Sequence, residues 1–265
     1  RYNDEEPGAT DGSRDVQAYV RDLDLGRAVA TTSYVADGVT YKREVFTSFA
    51  DNVTVIRLES SEPGRLDFNV CFAAPIKTNM EKLGVNQITP DGMIKASLIP
   101  AREKSENVDN KLNCYTFIKV INDGGTQTNT GHQNVVQYGL VAGNPSAPTI
   151  EVSDATCATI IISSATNFEN YDDISGDAEV KALAYMESYL SKDKDYASTL
   201  ADHVERYSEQ FDRVSLNLGE NAAKEQKDTE TRIREYNKEG NDPGLVANYF
   251  QFGRYLLISS SQPGT

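Results

Sequence analysis

Leu-Val-Ala-Asn-Tyr-Phe-Gln-Phe-Gly-Arg-Tyr-Leu-Leu-Ile-Ser-Ser-Ser-Gln-Pro-Gly-Thr, residues 245–265, decides how the whole chain is read. Leu245, Tyr249, Phe252, Leu256 and Ser260 recur at three- and four-residue intervals, and Val246, Phe250, Gly253 and Leu257 widen the stripe. That is the spacing of an amphipathic helix. Asp242-Pro243 offers an N-cap and a first-turn proline, and Pro263-Gly264 ends the run. An apolar face this wide needs several partner helices, and the sequence supplies none after it. The expectation is the first helix of a larger helical domain in a longer parent chain. A first residue of Arg1 rather than Met points the same way.

Upstream of that helix, residues from about Asp15 to Asn167 read as successive strands. Ala28–Val35, Val39–Phe49, Val53–Glu59 and Arg65–Phe72 are rich in Val, Ile, Thr, Tyr and Phe. Ala36-Asp37-Gly38 supplies the positive φ angles of a tight hairpin between the first two. In Ser61-Glu62-Pro63-Gly64 proline presets one turn angle and glycine tolerates the other. Val39, Tyr41, Val45 and Phe49 share one parity, and Leu66, Phe68, Val70 and Phe72 share another, so each of these strands has a core face. Tyr115–Ile121, closed by Asn122-Asp123-Gly124-Gly125, and Ala158–Ser164 are further strands. Pro100–Asn113 and Gly143–Pro148 read as loops. Many strands at short spacing predict an antiparallel β-sandwich.

After Asp172 the period becomes helical. Val180, Leu183, Ala184 and Leu190 share one face, and Tyr196, Leu200, His203, Tyr207 and Phe211 form a stripe on the next helix. Arg213–Gly219 alternates like a short strand, and Glu220–Asp242 is a charged connector. The predicted organisation is mainly β with α. A sandwich occupies residues 1–172 and lacks its first strands, a helical linker with a short strand occupies 173–240, and a helical domain opens at 241–265.

A formal net charge of −14 lacks the basic surface that a phosphate backbone needs, so no nucleic-acid partner is expected. No apolar run reaches the roughly 20 residues of a membrane span, so no membrane is expected either. Cys71, Cys114 and Cys157 are odd in number and far apart, which fits neither zinc spacing nor a disulfide framework. They read as buried thiols. Nothing in the sequence implies a cofactor or a metal site.

The candidate chemistry is sparse. His203 lies on an apolar helix stripe with no second ligand at metal spacing, and reads as a packed, hydrogen-bonded histidine. His132 sits in a polar turn, Thr130-Gly131-His132-Gln133. Asp172-Asp173, Asp193–Asp195 and the acidic residues near Glu220 are sequence neighbours, whereas glycosidic cleavage needs carboxyls facing each other across a bond. Ser259–Ser261 lack a nucleophile elbow. Arg254, beside Tyr255 on an otherwise apolar helix, is the one substrate-binding candidate.

Several blocks resemble glycoside hydrolase family 95. They are Tyr19-Val-Arg-Asp-Leu-Asp-Leu25, Ala28–Tyr34, Asp37–Phe46, Ser163-Ser-Ala-Thr-Asn-Phe168 and His203–Gly219. The closest are Gly240-Asn-Asp-Pro-Gly-Leu245 and Tyr249–Ser261. The resemblance covers most of residues 15–75 and 158–265 and is loose between them. It implies an α-L-fucosidase acting on terminal, often 1,2-linked fucose, with some members acting on α-L-galactosides. It implies an antiparallel super-sandwich, linker helices and an (α/α)6 catalytic barrel of which residues 241–265 are the first helix. In that family the anomeric centre is inverted by a glutamate acid, with asparagines and an aspartate positioning water. Those groups lie past Pro263-Gly264, so the resemblance assigns no catalytic residue here. It further implies a fucosylated oligosaccharide or glycan substrate, a barrel domain packing on residues 241–265, and a bacterial secreted or periplasmic enzyme. Two other readings stay open: a non-catalytic carbohydrate-binding sandwich, despite the absence of Trp, and the sandwich and linker of a disaccharide phosphorylase or α-L-galactosidase.

Overall fold

The computed structural model describes residues 15–72, 86–98, 111–130, 136–137, 140–141 and 148–262. In chain order the strands are β1 Val16–Asp24, β2 Val29–Ala36, β3 Val39–Ser48, β4 Val53–Ser60, β5 Leu66–Cys71, β6 Asn86–Ile88 and β7 Ile94–Leu98. They continue with β8 Cys114–Asp123, β9 Thr126–Thr130, β10 Val136–Gln137, β11 Leu140–Val141, β12 Thr149–Ala155 and β13 Cys157–Thr166. The helices are α1 Ala178–Leu190, α2 Tyr196–Phe211, α3 Ala222–Glu225, α4 Thr229–Glu239 and α5 Pro243–Ser260.

Eight strands form one antiparallel sheet in the order β1-β2-β3-β4-β13-β8-β7-β6, and β5-β12-β9 form a second. Alternation along each strand explains the layers. Tyr41, Ile118, Val120 and Ile160 face the small sheet and pack with Leu66, Ile150 and Val152. Residues of opposite parity, Phe46, Val55, Phe117 and Ile161, face the other way and pack with Ala182 and Met186 of α1. The large sheet is therefore covered by the small sheet on one face and by helices on the other. The run Ile160-Ile161-Ile162 is apolar on both sides because β13 sits centrally, between β4 and β8.

The hairpin between β2 and β3 forms as expected, with Asp37 and Gly38 at φ 52° and 79°. The other two glycine turns do something the sequence left open: they change sheets. Ser61–Arg65 leads from β4 in the large sheet to β5 in the small one, and Gly124-Gly125 leads from β8 to β9. Thr156 makes the third crossing, from β12 to β13, and ties all three together. Its N–H donates to the Asp123 carbonyl (2.9 Å), and its carbonyl accepts from the Ser60 N–H (3.0 Å). Its Oγ1 accepts from the Gly64 N–H (3.3 Å).

Four expectations need correction. Phe49 does not continue the inward face of β3; it follows the strand and packs against His203 and Tyr207 of α2. The buried face of α1 is Ala178, Ala182, Met186 and Tyr189, while Val180 is exposed, because small alanines let the helix lie close to the sheet. Residues Arg213–Gly219 form no strand, since no ladder partner lies beside them; the Val214 carbonyl accepts instead from the side chains of Gln251 and Arg254. The Glu220–Asp242 connector contains α3 and α4. Of the two expected loops, residues 111–113 and 148 are irregular and the rest lies outside the described residues.

Candidate functional site

The described surface is most unusual around α5. Asp242 caps it, its Oδ1 accepting from the Leu245 N–H at 2.9 Å, with Pro243 at the first turn. The same carboxylate takes two hydrogen bonds from Arg232 of α4, Nε to Oδ2 at 2.9 Å and Nη2 to Oδ1 at 2.8 Å, and both side chains are buried. The guanidinium holds the Asp242 carboxyl below the ordinary carboxylate range. Gly240, in the left-handed region at φ 63°, ends α4 and turns the chain into α5. Lys224 of α3 bridges Glu235 and Glu239 of α4.

Arg254, farther along α5, anchors the helix to the end of α2. Its guanidinium donates to the carbonyls of Val214 (2.8 Å) and Phe211 (2.9 Å) and to Gln251 Oε1 (2.7 Å), and stacks 4.9 Å from the centre of the Phe211 ring. The substrate-binding candidate thus satisfies free carbonyls at the C-terminus of α2.

On either side of Arg254 the apolar stripe of α5 is uncovered. No residue of the helix is buried, and Tyr249 is 78% and Leu257 64% exposed, with Phe250, Phe252 and Leu256 also open. Alongside runs a cleft of about 1060 Å³ between β1, α4 and α5, floored by Leu23, Leu25, Ile233, Leu245 and Phe252. Contiguous apolar surface of this kind marks an interaction surface rather than ordinary scatter.

The remaining candidates fall into structural roles. His203 is buried, stacks on Phe46 at 4.7 Å and places Nε2 2.9 Å from the Arg27 carbonyl. Burial holds its pKa below the ordinary histidine value. Asp195 caps α2 through the Ser198 N–H, and Asp173 accepts from the Ser175 N–H. Ser260 bonds back to the Leu256 carbonyl, and Ser261 closes the helix. The three cysteines are free thiols, half-buried rather than buried, and desolvation raises each of them. His132 lies outside the described residues. Among the described residues no group of three His, Cys, Asp or Glu side chains is placed to hold a metal, and no helix is long and apolar enough to cross a membrane.

A polar lock missed in the sequence joins the helices to the sandwich. Asp51, buried in the β3–β4 turn, accepts from Lys192 (2.6 Å) and Ser48 (3.0 Å), with Lys194 at 3.6 Å. Burial pushes the Asp51 carboxyl up, but the bonds from Lys192 and Ser48 and the two lysine charges outweigh it and leave it lowered. A carboxyl lowered by folding contributes stability above its unfolded pKa near 3.8 and loses it as pH falls through the folded value. Asp51→Asn should therefore cost about 1–2 kcal/mol at neutral pH and progressively less below about pH 4. Thermal unfolding from about pH 3 to 7 checks this; a deficit constant with pH contradicts it.

The described residues thus form a two-sheet sandwich that passes through a short helical layer to an open apolar helix. Residues 8–171 match the family described as glycosyl hydrolase family 65, N-terminal domain, and the chain belongs to that family. Residues 195–265, which include α2 and α5, match the glycosyl hydrolase family 95 catalytic domain. Alpha-L-fucosidase 2 of Arabidopsis thaliana is 32% identical over 94% of this chain and 29% of its own length. Probable alpha-fucosidase A of Aspergillus niger is 26% identical over 95% and 29%, and that of Aspergillus oryzae 23% over 96% and 33%. The chain thus spans about a third or less of the curated relatives it matches. A putative kojibiose phosphorylase from human microbiome superposes with a TM-score of 0.48 at 9% identity, over 75% of this chain and 25% of that one.

Proposed function

We propose that this chain is the sandwich, linker and opening helix of a glycoside hydrolase that removes terminal α-L-fucose, 1,2-linked, from glycans with inversion. The observation that carries the reading is α5. It lies within the stretch matching a family 95 catalytic domain, is anchored at Asp242 and Arg254, and leaves its apolar stripe uncovered. The occupants of that stripe are further helices of the catalytic domain, packing on residues 241–265, with domain limits near 172 and 240. The names of the plant and fungal relatives support the fucoside substrate. None of the three is bacterial, so they give the bacterial and periplasmic part of the sequence reading no support. We retain only action outside the cell, where fucosylated glycans lie.

Inversion requires an acid on one face of the sugar and an activated water on the other, with a gap between them. No described carboxylate pair is given either role, and Arg254 is committed to carbonyls. Residues 1–265 are therefore expected to release no fucose from a 1,2-fucosylated oligosaccharide when free L-fucose is assayed. Measurable release by this chain overturns the assignment of catalysis to other parts of the enzyme.

A further inference from the structure

Gly253 stands in the middle of α5, and no described neighbour calls for it. Its backbone is not in the left-handed region that favours glycine, and a Cβ built on it meets no atom within 4 Å. Gly244, in the first turn of the same helix, is different. A Cβ there would lie 2.9 Å from Glu225 Oε1 and 3.1 Å from Arg232 Nη2, so neighbours already in place explain it. Glycine in a helix interior weakens the helix roughly fivefold relative to alanine. A glycine at an exposed helix position with no local reason marks a place where another element comes close.

Helix geometry makes Gly253 the floor of a hollow. Its neighbours on the helix surface, three and four residues away, are Tyr249, Phe250, Leu256 and Leu257, and all four are exposed. Val246 and Ser260, seven residues away on either side, continue the same line along the axis. The Ser260 hydroxyl donates to the Leu256 carbonyl at 2.8 Å, so an apolar surface can cover it without leaving the donor unpaired. No charged side chain borders the hollow, because Arg254 turns toward the end of α2. Four residues around a gap form the socket into which a packed helix inserts one side chain. A glycine floor lets that helix approach to the near end of the usual spacing of about 8–10 Å between axes.

We propose that one helix of the remaining catalytic domain, on the same polypeptide, crosses α5 at Gly253 and seats an apolar side chain over it, between Tyr249, Phe250, Leu256 and Leu257. This rests on the reading of α5 as the opening helix of that domain, and adds where and how closely the next helix touches it. Two observations favour the same polypeptide over a second copy of this chain. Residues 195–265 match a catalytic domain, and the chain spans about a third or less of its curated relatives. A tethered helix also meets α5 at a far higher effective concentration than a free partner does.

The test places each substitution in two contexts, residues 1–265 and the full polypeptide carrying the catalytic domain. In residues 1–265, Gly253→Ala and Gly253→Leu should slow hydrogen exchange of the α5 amides roughly two- to fivefold, since both favour helix over glycine and the added Cβ has open space. In the full polypeptide Gly253→Leu should lower Tm by at least about 3 °C, because the socket is already filled. Gly253→Ala should bring no gain there, and it decides the test where Gly253→Leu is not recovered folded. A gain in both contexts from either substitution, or an unchanged Tm in the full Gly253→Leu polypeptide, overturns the proposal. So does a dimer of residues 1–265 that Gly253→Leu dissociates, since the hollow then belongs to a second copy. Tm does not depend on which glycoside is cleaved. A full polypeptide that releases no fucose refutes the substrate reading, whereas an unchanged or raised Tm refutes the helix crossing.

Discussion

Gly125→Ala is expected to lower stability by about 4 kcal/mol, a fall in Tm on the order of 10 °C for a chain of this size. A Cβ built at Gly125 lies 2.0 Å from the Ser153 carbonyl oxygen, 2.6 Å from the Asp154 carbonyl carbon and 2.7 Å from the Ala155 nitrogen. All three are backbone atoms, so no side-chain rotation relieves the overlap. The residue is also at φ +66°, where an L side chain is strained. The only relief is to part the β8–β9 crossing from the end of β12, where Thr156 links Asp123, Ser60 and Gly64. Gly38→Ala separates clash from strain: φ there is +79° and nothing lies within 4 Å, so only about 1 kcal/mol is expected. Equal Tm losses in the two variants would show that the corner is not closely packed.

That corner marks the limit of what residue patterns disclose. Asn122-Asp123-Gly124-Gly125 announces a turn, because glycine takes positive φ cheaply. Whether the turn returns the chain to its own sheet or carries it to the other depends on contacts far away in sequence. Alternation was readable wherever one face of a strand is buried and the other wet, as at Val39, Tyr41, Leu66 and Phe68. It failed for β9, Thr-Gln-Thr-Asn-Thr, an edge strand of the small sheet with no apolar residue to signal it.

The helices show the same division. The Tyr196–Phe211 stripe and the Asp242-Pro243 start were legible from spacing and capping chemistry. In α1 the reading placed Val180, Leu183, Ala184 and Leu190 on the packed face; Leu183 and Leu190 do pack against the core, but its centre is Ala178, Ala182, Met186 and Tyr189. In α4, Thr-Glu-Thr-Arg-Ile-Arg-Glu-Tyr-Asn-Lys-Glu looks like solvated linker, although Asp228 capping the Thr231 N–H was an available start signal. The partners that hold Asp242 and Arg254 were not readable. Arg232 is one of several charges in its segment, and only the fold singles it out for Asp242.

Asp242→Ala is expected to cost about 3–4 kcal/mol, felt locally in α4 and α5. The substitution removes two interactions at once. The Leu245 N–H loses its cap, and the Arg232 guanidinium, with its side chain only 8% exposed, loses its hydrogen-bonded carboxylate and keeps only the more distant charge of Glu225. Asp242→Asn should retain the cap and lose mainly the ion pair, for a smaller deficit. Arg232→Met with Asp242→Asn should recover much of the loss, because the stranded charge goes with its partner. Hydrogen exchange distinguishes this from general weakening: amides of α4 and α5 should exchange faster while those of β8 and β13 keep their protection. Uniform acceleration across the sandwich would mean that α5 is not held as a separate unit. If it is, the Asp242 carboxylate aims the helix whose uncovered stripe we propose to be the seat of the catalytic domain, and in an enzyme containing that domain Asp242→Ala should lower kcat more than the change in Tm alone accounts for.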